Sequence, residues 1–222
     1  MRHIFSDLTA MQIFNDFITK LKEKLAGPLP GLDSQLRMAS MRRVIEQGRM
    51  KVPADVKKGG VLVLFYPHQE QVYLVLMKRT EYPGVHSGQI SFPGGGWEPE
   101  DQNMTETALR ETEEEIGVKR QLVRPVGFLS ELFIPPSNFL VTPVVGYIEA
   151  RPEFRPDPSE VAQIVEIPLN EFLREENRLE KSITVYPDIR MRVPCFYING
   201  NVIWGATAMM INELIDLLTQ GS

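Results

Sequence analysis

The chain has 222 residues, 43% hydrophobic and 24% charged, a balance that excludes a disordered or fibrous protein and is sufficient for a large buried core. One cysteine, Cys195, excludes an internal disulfide and any all-cysteine zinc site. The formal net charge of −5 argues against a general nucleic-acid binder while leaving room for an enzyme that acts on nucleotides.

At the N-terminus, Met1 to Asp7 lack the continuous apolar stretch of a signal peptide, which predicts a cytoplasmic location. Phe14, Phe17, Ile18, Leu21 and Leu25 recur at three- and four-residue steps and predict a helix with one apolar stripe. Gly27-Pro28 stops it, and Pro28, Pro30 and Gly31 form a stiff connector. Residues 34–47 read as a second, weaker helix carrying Arg37, Arg42 and Arg43. From residue 59 the texture becomes β. Val61–Phe65 and Val72–Met77 predict strands, and the apolar run Val61–Tyr66 is far too short to cross a bilayer. A glycine- and proline-rich loop spans Thr80–Trp97. Thr105–Ile116 predicts a helix with Ala108, Leu109, Thr112 and Ile116 on one side, closed by Gly117. Strands are predicted at Val126–Leu129, Val141–Ile148 and Ile183–Tyr186. A two-residue hairpin turn is predicted at Asn199-Gly200, and a last helix at Thr207–Leu218. Strands in hairpins, mixed with helices, predict an α/β (α+β) architecture with a helix-covered mixed sheet.

The chemistry concentrates between Phe92 and Val118. Glu111, Glu114 and Glu115 stand at i, i+3 and i+4 and share one helix face. Such a face is most simply a solvated acidic surface. Three features point instead to a divalent cation. The carboxylates lie near the helix C-terminus, where the macrodipole disfavours them. Arg110 stands where it can orient them. Gly94-Gly95-Gly96 precedes the helix and admits a close backbone approach. Glu113 projects elsewhere. Cys195 reads as a half-buried strand residue with no base beside it. His3 and His68 read as surface residues, Trp204, Met209 and Met210 as packing. Phe133 and Phe139, flanking Pro135-Pro136, are candidates to border a ligand.

Arg110, Glu111, Glu114, Glu115 and Gly117 match the R-E-x-x-E-E-x-G half of the Nudix box, and the chain resembles the Nudix hydrolases. Measured from Arg110, the usual glutamate position holds Gln102, with Asp101 one place earlier, and Thr112 replaces a larger apolar residue. That spacing is similar to the coenzyme A diphosphatase subfamily. So is the upstream G-x-x-x-F-P-G-G signature at Gly88, Phe92, Pro93, Gly94 and Gly95, with Arg79 in register. Leu29–Gly31, Val141–Gly146, Ser159–Leu169 and Ile203–Ala208 extend the resemblance over nearly the whole chain. Two departures stand upstream: Gly84 where the signature has arginine, and Thr80 where it has serine or alanine. Arg79, or Arg42 and Arg43, are the arginines available to replace the missing one.

The resemblance implies a Nudix-type α/β/α sandwich, with residues 1–50 as an N-terminal helical extension and 51–222 as the hydrolase domain. It implies Mg²⁺ or Mn²⁺ held by Glu111, Glu114, Glu115 and the Gly95 carbonyl, with Arg110 orienting the carboxylates. Glu114 and Glu160 are the candidates for the group that takes a proton from the attacking water. Arg79, His86 and Gln89 are the candidate substrate contacts, although for His86 a plain surface role is equally open. The implied reaction is cleavage of coenzyme A or acyl-coenzyme A into adenosine 3′,5′-bisphosphate and the phosphopantetheine. The alternatives are ADP-ribose, a nucleoside diphosphate sugar or a nucleoside triphosphate as substrate, and more remotely a nucleotide sensor without catalysis. The partner is then a small nucleotide, not nucleic acid or membrane. The N-terminal helices have two roles open to them, covering the active site or forming a homodimer contact.

Overall fold

The computed structural model describes residues 2–47, 50–81, 86–185 and 189–220. Strand β1 (Lys57–His68) is the centre of the molecule. It pairs in parallel with β7 (Phe139–Tyr147) and antiparallel with β2 (Gln71–Arg79). Its five consecutive residues from Leu62 to Tyr66 are fully buried, because successive side chains enter opposite cores. Leu62, Leu64 and Tyr66 pack with Ala108, Leu109 and Ile116 of helix α4 (Met104–Ile116). Val63 and Phe65 face the other way, toward Phe14, Ile18 and Leu21 of α1 (Arg2–Leu25) and Met209 to Leu214 of α5 (Gly205–Thr219). The result is the expected α/β/α sandwich about a mixed sheet.

Eight further strands and two short helices fill in this frame. Strands β3 (Ile90–Ser91), β5 (Arg124–Phe128), β6 (Leu132–Ile134) and β8 (Val161–Pro168) join the main sheet beside β2 or β7. β4 (Gly94–Gly96) pairs with the start of β1, matching Gly59 with Gly96 and Gly60 with Gly95. The Thr80–Trp97 segment, read as one long loop, therefore contributes two strands. β9 (Arg178–Val185), β10 (Ile189–Ile198) and β11 (Asn201–Trp204) form a separate three-stranded antiparallel sheet. Tyr186, expected in a strand, lies outside the described residues. The single helix expected over residues 34–47 is two, α2 (Gly31–Leu36) and α3 (Met41–Gln47), separated by buried Met38 and Ala39.

Gly60 explains how closely α4 approaches the sheet. A methyl group there would stand 2.6 Å from the Met104 carbonyl oxygen and 3.1 Å from the Ala108 nitrogen. On the opposite face, the fully buried Glu213 of α5 accepts hydrogen bonds from the Gly31 and Ser130 amides, both at 3.1 Å, and from Gln35 Nε2 at 2.8 Å. A buried carboxylate must be satisfied in this way or it destabilises the fold. These bonds fasten α2 and the approach to β6 onto α5. No described helix is long and apolar enough to cross a membrane.

Candidate active site

Helix α4 begins at Asn103, whose side chain accepts from the Thr105 and Glu106 amides, and ends at Gly117 in the left-handed conformation. Between these caps, Arg110 reaches back toward the loop that precedes the helix. Its Nε and Nη2 donate to both oxygens of Asp101 at 3.0 and 2.9 Å, and Nη2 also donates to the Gly96 carbonyl at 2.9 Å. Its Nη1 donates to Glu111 and Glu114, both at 3.1 Å. Arg110 thus contacts three carboxylates, and the one-residue offset has a structural counterpart. Asp101 is buried against the guanidinium, while Gln102 is exposed. Thr112, at the position where a larger apolar residue is usual, is buried and donates its hydroxyl to the Ala108 carbonyl.

The forked hydrogen bond from Arg110 holds the Asp101 carboxyl down at about 2, helped by the Glu98 amide and the Thr107 hydroxyl and opposed by burial. A carboxylate with a depressed pKa stabilises the fold fully above its unfolded value of 3.8, and that contribution is lost as pH falls through about 2. Thermal melts followed by circular dichroism between pH 5 and pH 2, the window flanking those two values, are expected to show a falling Tm. Asp101→Asn should flatten part of that slope.

Glu115 is buried and accepts from the Gly94 amide at 2.7 Å and from Arg79 Nη1 at 3.2 Å. Burial pushes its carboxyl up to about 7, with Glu111 and Glu160 adding to the effect and the Gly94 amide and Arg79 opposing it. Burial also raises Glu111, which Arg110 partly offsets. Gly95 is a cradle for Glu111, since a methyl on Gly95 would fall 2.5 Å from each oxygen of that carboxylate. Glu114 is exposed apart from Arg110. Glu113 points away, as expected, and is taken by Arg120 at 2.7 Å and Lys119 at 3.1 Å.

Among the described residues, no three His, Cys, Asp or Glu side chains converge as a metal-binding group; Glu111 and Glu114 pair with Arg110, and Glu115 with Arg79. The donor chemistry nonetheless fits a hard divalent ion: carboxylate oxygens on one helix face, against a glycine strand that leaves room beside them. The Gly95 carbonyl lies against Gly59, where a methyl would approach it to 2.6 Å.

Of the other expected site residues, Arg79 and Glu160 lie beside Glu115, with Arg79 Nη2 4.0 Å from Glu160. His86 Nδ1 lies 3.3 Å from Gln89 Oε1, and the Gln89 carbonyl accepts the Arg79 amide, so this pair abuts the same strand end. Gly84 lies outside the described residues, as does the side chain of His3. Arg42 pairs with Glu46, and Arg43 donates to the Phe133 carbonyl. Phe139 packs over Gly59 and Gly96. Cys195 is fully buried rather than half-buried, and burial raises its thiol pKa. Sequence reasoning placed Asp101 in a pattern without giving it a role, and passed over Trp97, whose ring nitrogen donates to the Asp101 carbonyl at 3.0 Å. An acidic residue nine positions before the box arginine, and an aromatic directly after three glycines, were the available signals.

The NUDIX domain family model matches residues 56–188. The uncharacterized Nudix hydrolase NudL of Yersinia pestis (strain Pestoides F) is 37% identical over 162 residues, 72% of this chain and 79% of that protein. The corresponding protein of Yersinia pseudotuberculosis (serotype O:1b) is similar to the same extent. A crystal structure of the Nudix hydrolase RenU from M. smegmatis superposes with a TM-score of 0.52 at 12% identity, covering 75% of this chain and 88% of that one.

Proposed function

This chain belongs to the Nudix hydrolase family, and from that premise we propose that its substrate is coenzyme A or an acyl derivative, cleaved at the diphosphate. The observation that carries the finer reading is the Asp101–Arg110 pair. It supports the longer spacing that resembles the coenzyme A diphosphatases, in which aspartate rather than the next residue meets the box arginine. In this reading residues 1–50 are an extension of the hydrolase domain at 51–222, sharing its core through α1.

Hydrolases of this family generally need divalent metal ions. Here Mg²⁺ or Mn²⁺ would be held by Glu111, Glu114 and Glu115, with Gly95 beside them, and would screen the diphosphate and acidify an attacking water. The chain's own groups do the rest. Arg110 fixes Glu111 and Glu114 to one side of the helix, and Arg79 fixes Glu115. Glu114 and Glu160, both about half exposed, are the candidates to accept the proton of a water that attacks phosphorus. The bond from that phosphorus to the bridging oxygen breaks, and two phosphate monoesters leave. For coenzyme A these are adenosine 3′,5′-bisphosphate and phosphopantetheine.

Gly84, where the subfamily signature has arginine, favours the alternative substrates ADP-ribose, nucleoside diphosphate sugars and nucleoside triphosphates. Purified protein with Mg²⁺ or Mn²⁺ and a panel of these compounds, with products identified by mass, decides between them. Coenzyme A is expected to show kcat/KM at least about tenfold above ADP-ribose. The reverse ranking overturns the assignment.

A further inference from the structure

Trp97 is the third residue past Gly94, and the residue is 46% exposed. It is nevertheless held in place. Its amide donates to the Lys58 carbonyl at 2.9 Å, continuing the β1–β4 register by one step beyond the Gly59–Gly96 pair. Its ring N–H is satisfied by the Asp101 carbonyl, and Asp101 is itself gripped by Arg110. The ring has no donor left to offer, only its face. Among the described residues, the other exposed aromatics are Phe128 and Tyr197. Tyr197 is already covered by Lys181 Nζ, 3.1 Å from the ring centre, and Phe128 lines a hollow with the acidic Glu106 and Glu131.

Side chains alternate along a strand, so Lys58 and Trp97 leave the same face as Gly60 and Gly95. That is the face on which Glu111 lies against Gly95. Lys58 is exposed and belongs to a stretch, residues 37–58, with seven Lys or Arg against two Asp or Glu in a chain of net charge −5. A rigid aromatic face and a cation, each two residues along its strand from the Gly60–Gly95 pair against which Glu111 lies, match the two ends of a nucleoside monophosphate. We infer that Trp97 stacks on the nucleobase of the substrate while the Lys58 ammonium meets its phosphate-bearing ribose. This rests on the reading that the nucleotide's diphosphate lies at Glu111, Glu114 and Glu115. Stacking is tolerant of base identity, so adenine and guanine should be bound alike.

Trp97 is also the reporter. AMP and GMP should each quench the intrinsic fluorescence of the wild-type protein saturably, whereas ribose 5-phosphate should not, and the AMP signal should vanish in Trp97→Phe. Trp97→Ala should raise KM for the substrate identified from the panel about tenfold with kcat changed less than about twofold, and Trp97→Phe should recover most of that loss. Lys58→Gln should weaken AMP but not adenosine. Absence of quenching by AMP, its persistence in Trp97→Phe, an unchanged KM in Trp97→Ala, or equal loss of AMP and adenosine in Lys58→Gln would overturn the assignment. Quenching needs no turnover. A protein that quenched with AMP but left coenzyme A intact would sink the substrate reading and leave this one standing.

Discussion

Glu114→Gln is expected to lower turnover of the active compound by about a thousandfold, the scale of losing several kcal/mol of transition-state stabilisation by a metal ligand or proton acceptor. Its melting temperature should stay close to wild type. The reason for both expectations is the same: Glu114 is exposed, and its one ion pair, with Arg110, is the kind of solvent-screened i, i+4 contact that contributes little to stability. On the proposed reading, this side chain serves the reaction and contributes little to the fold. The measurement is steady-state kinetics beside a calorimetric melt. Near-normal turnover would return these glutamates to an ordinary acidic helix face.

Arg110→Met is expected to reverse the pattern, striking the fold first. Asp101 would keep the Thr107 hydroxyl and the Glu98 amide but lose a forked cation inside the protein. Removing one partner of a buried pair costs about 3–5 kcal/mol, which for a chain of this length lowers Tm by about 10 °C. Activity falls as well, since Glu111 and Glu114 lose their common anchor. Adding Asp101→Asn to Arg110→Met should restore part of the stability, because the stranded charge is gone. A melt of Arg110→Met that matches wild type would mean the pair is too well solvated to organise the site.

The parts that were legible in the sequence are those governed by short-range spacing. Ala108, Leu109, Thr112 and Ile116 all turn inward, as a 3.6-residue period requires, which leaves Glu114 exposed, Glu111 half-buried and Glu115 buried at the border of the apolar face. Asn199-Gly200 makes the expected hairpin, with φ of 51° and 83° at the two positions. β4 was illegible for a physical reason: three glycines carry no side-chain pattern, and they become a strand only because Gly59, Gly60 and Val61 pair with them. β8 alternates imperfectly, and its edge position beside β2 leaves Ala162 and Gln163 exposed. The break between α2 and α3 contains neither glycine nor proline, and it comes from burying Met38 and Ala39. Glu213 sat unnoticed in an apolar helix because its donors, Gly31 and Ser130, are distant in sequence.

The parallel pairing of β1 with β7 joins residues about eighty positions apart, Lys57 with Phe139 through Phe65 with Tyr147. Closing so wide a loop is entropically slow, and no local element can stand in for it. Gly95, Asp101, Arg110, Glu111, Glu114 and Glu115 all lie inside that span, whereas Glu160 follows it. While the polypeptide is being made, β1, β2 and α4 can therefore assemble before β7 arrives to complete the sheet beneath them. The central parallel pair is then the last link of this frame to close, once the chain has passed residue 147.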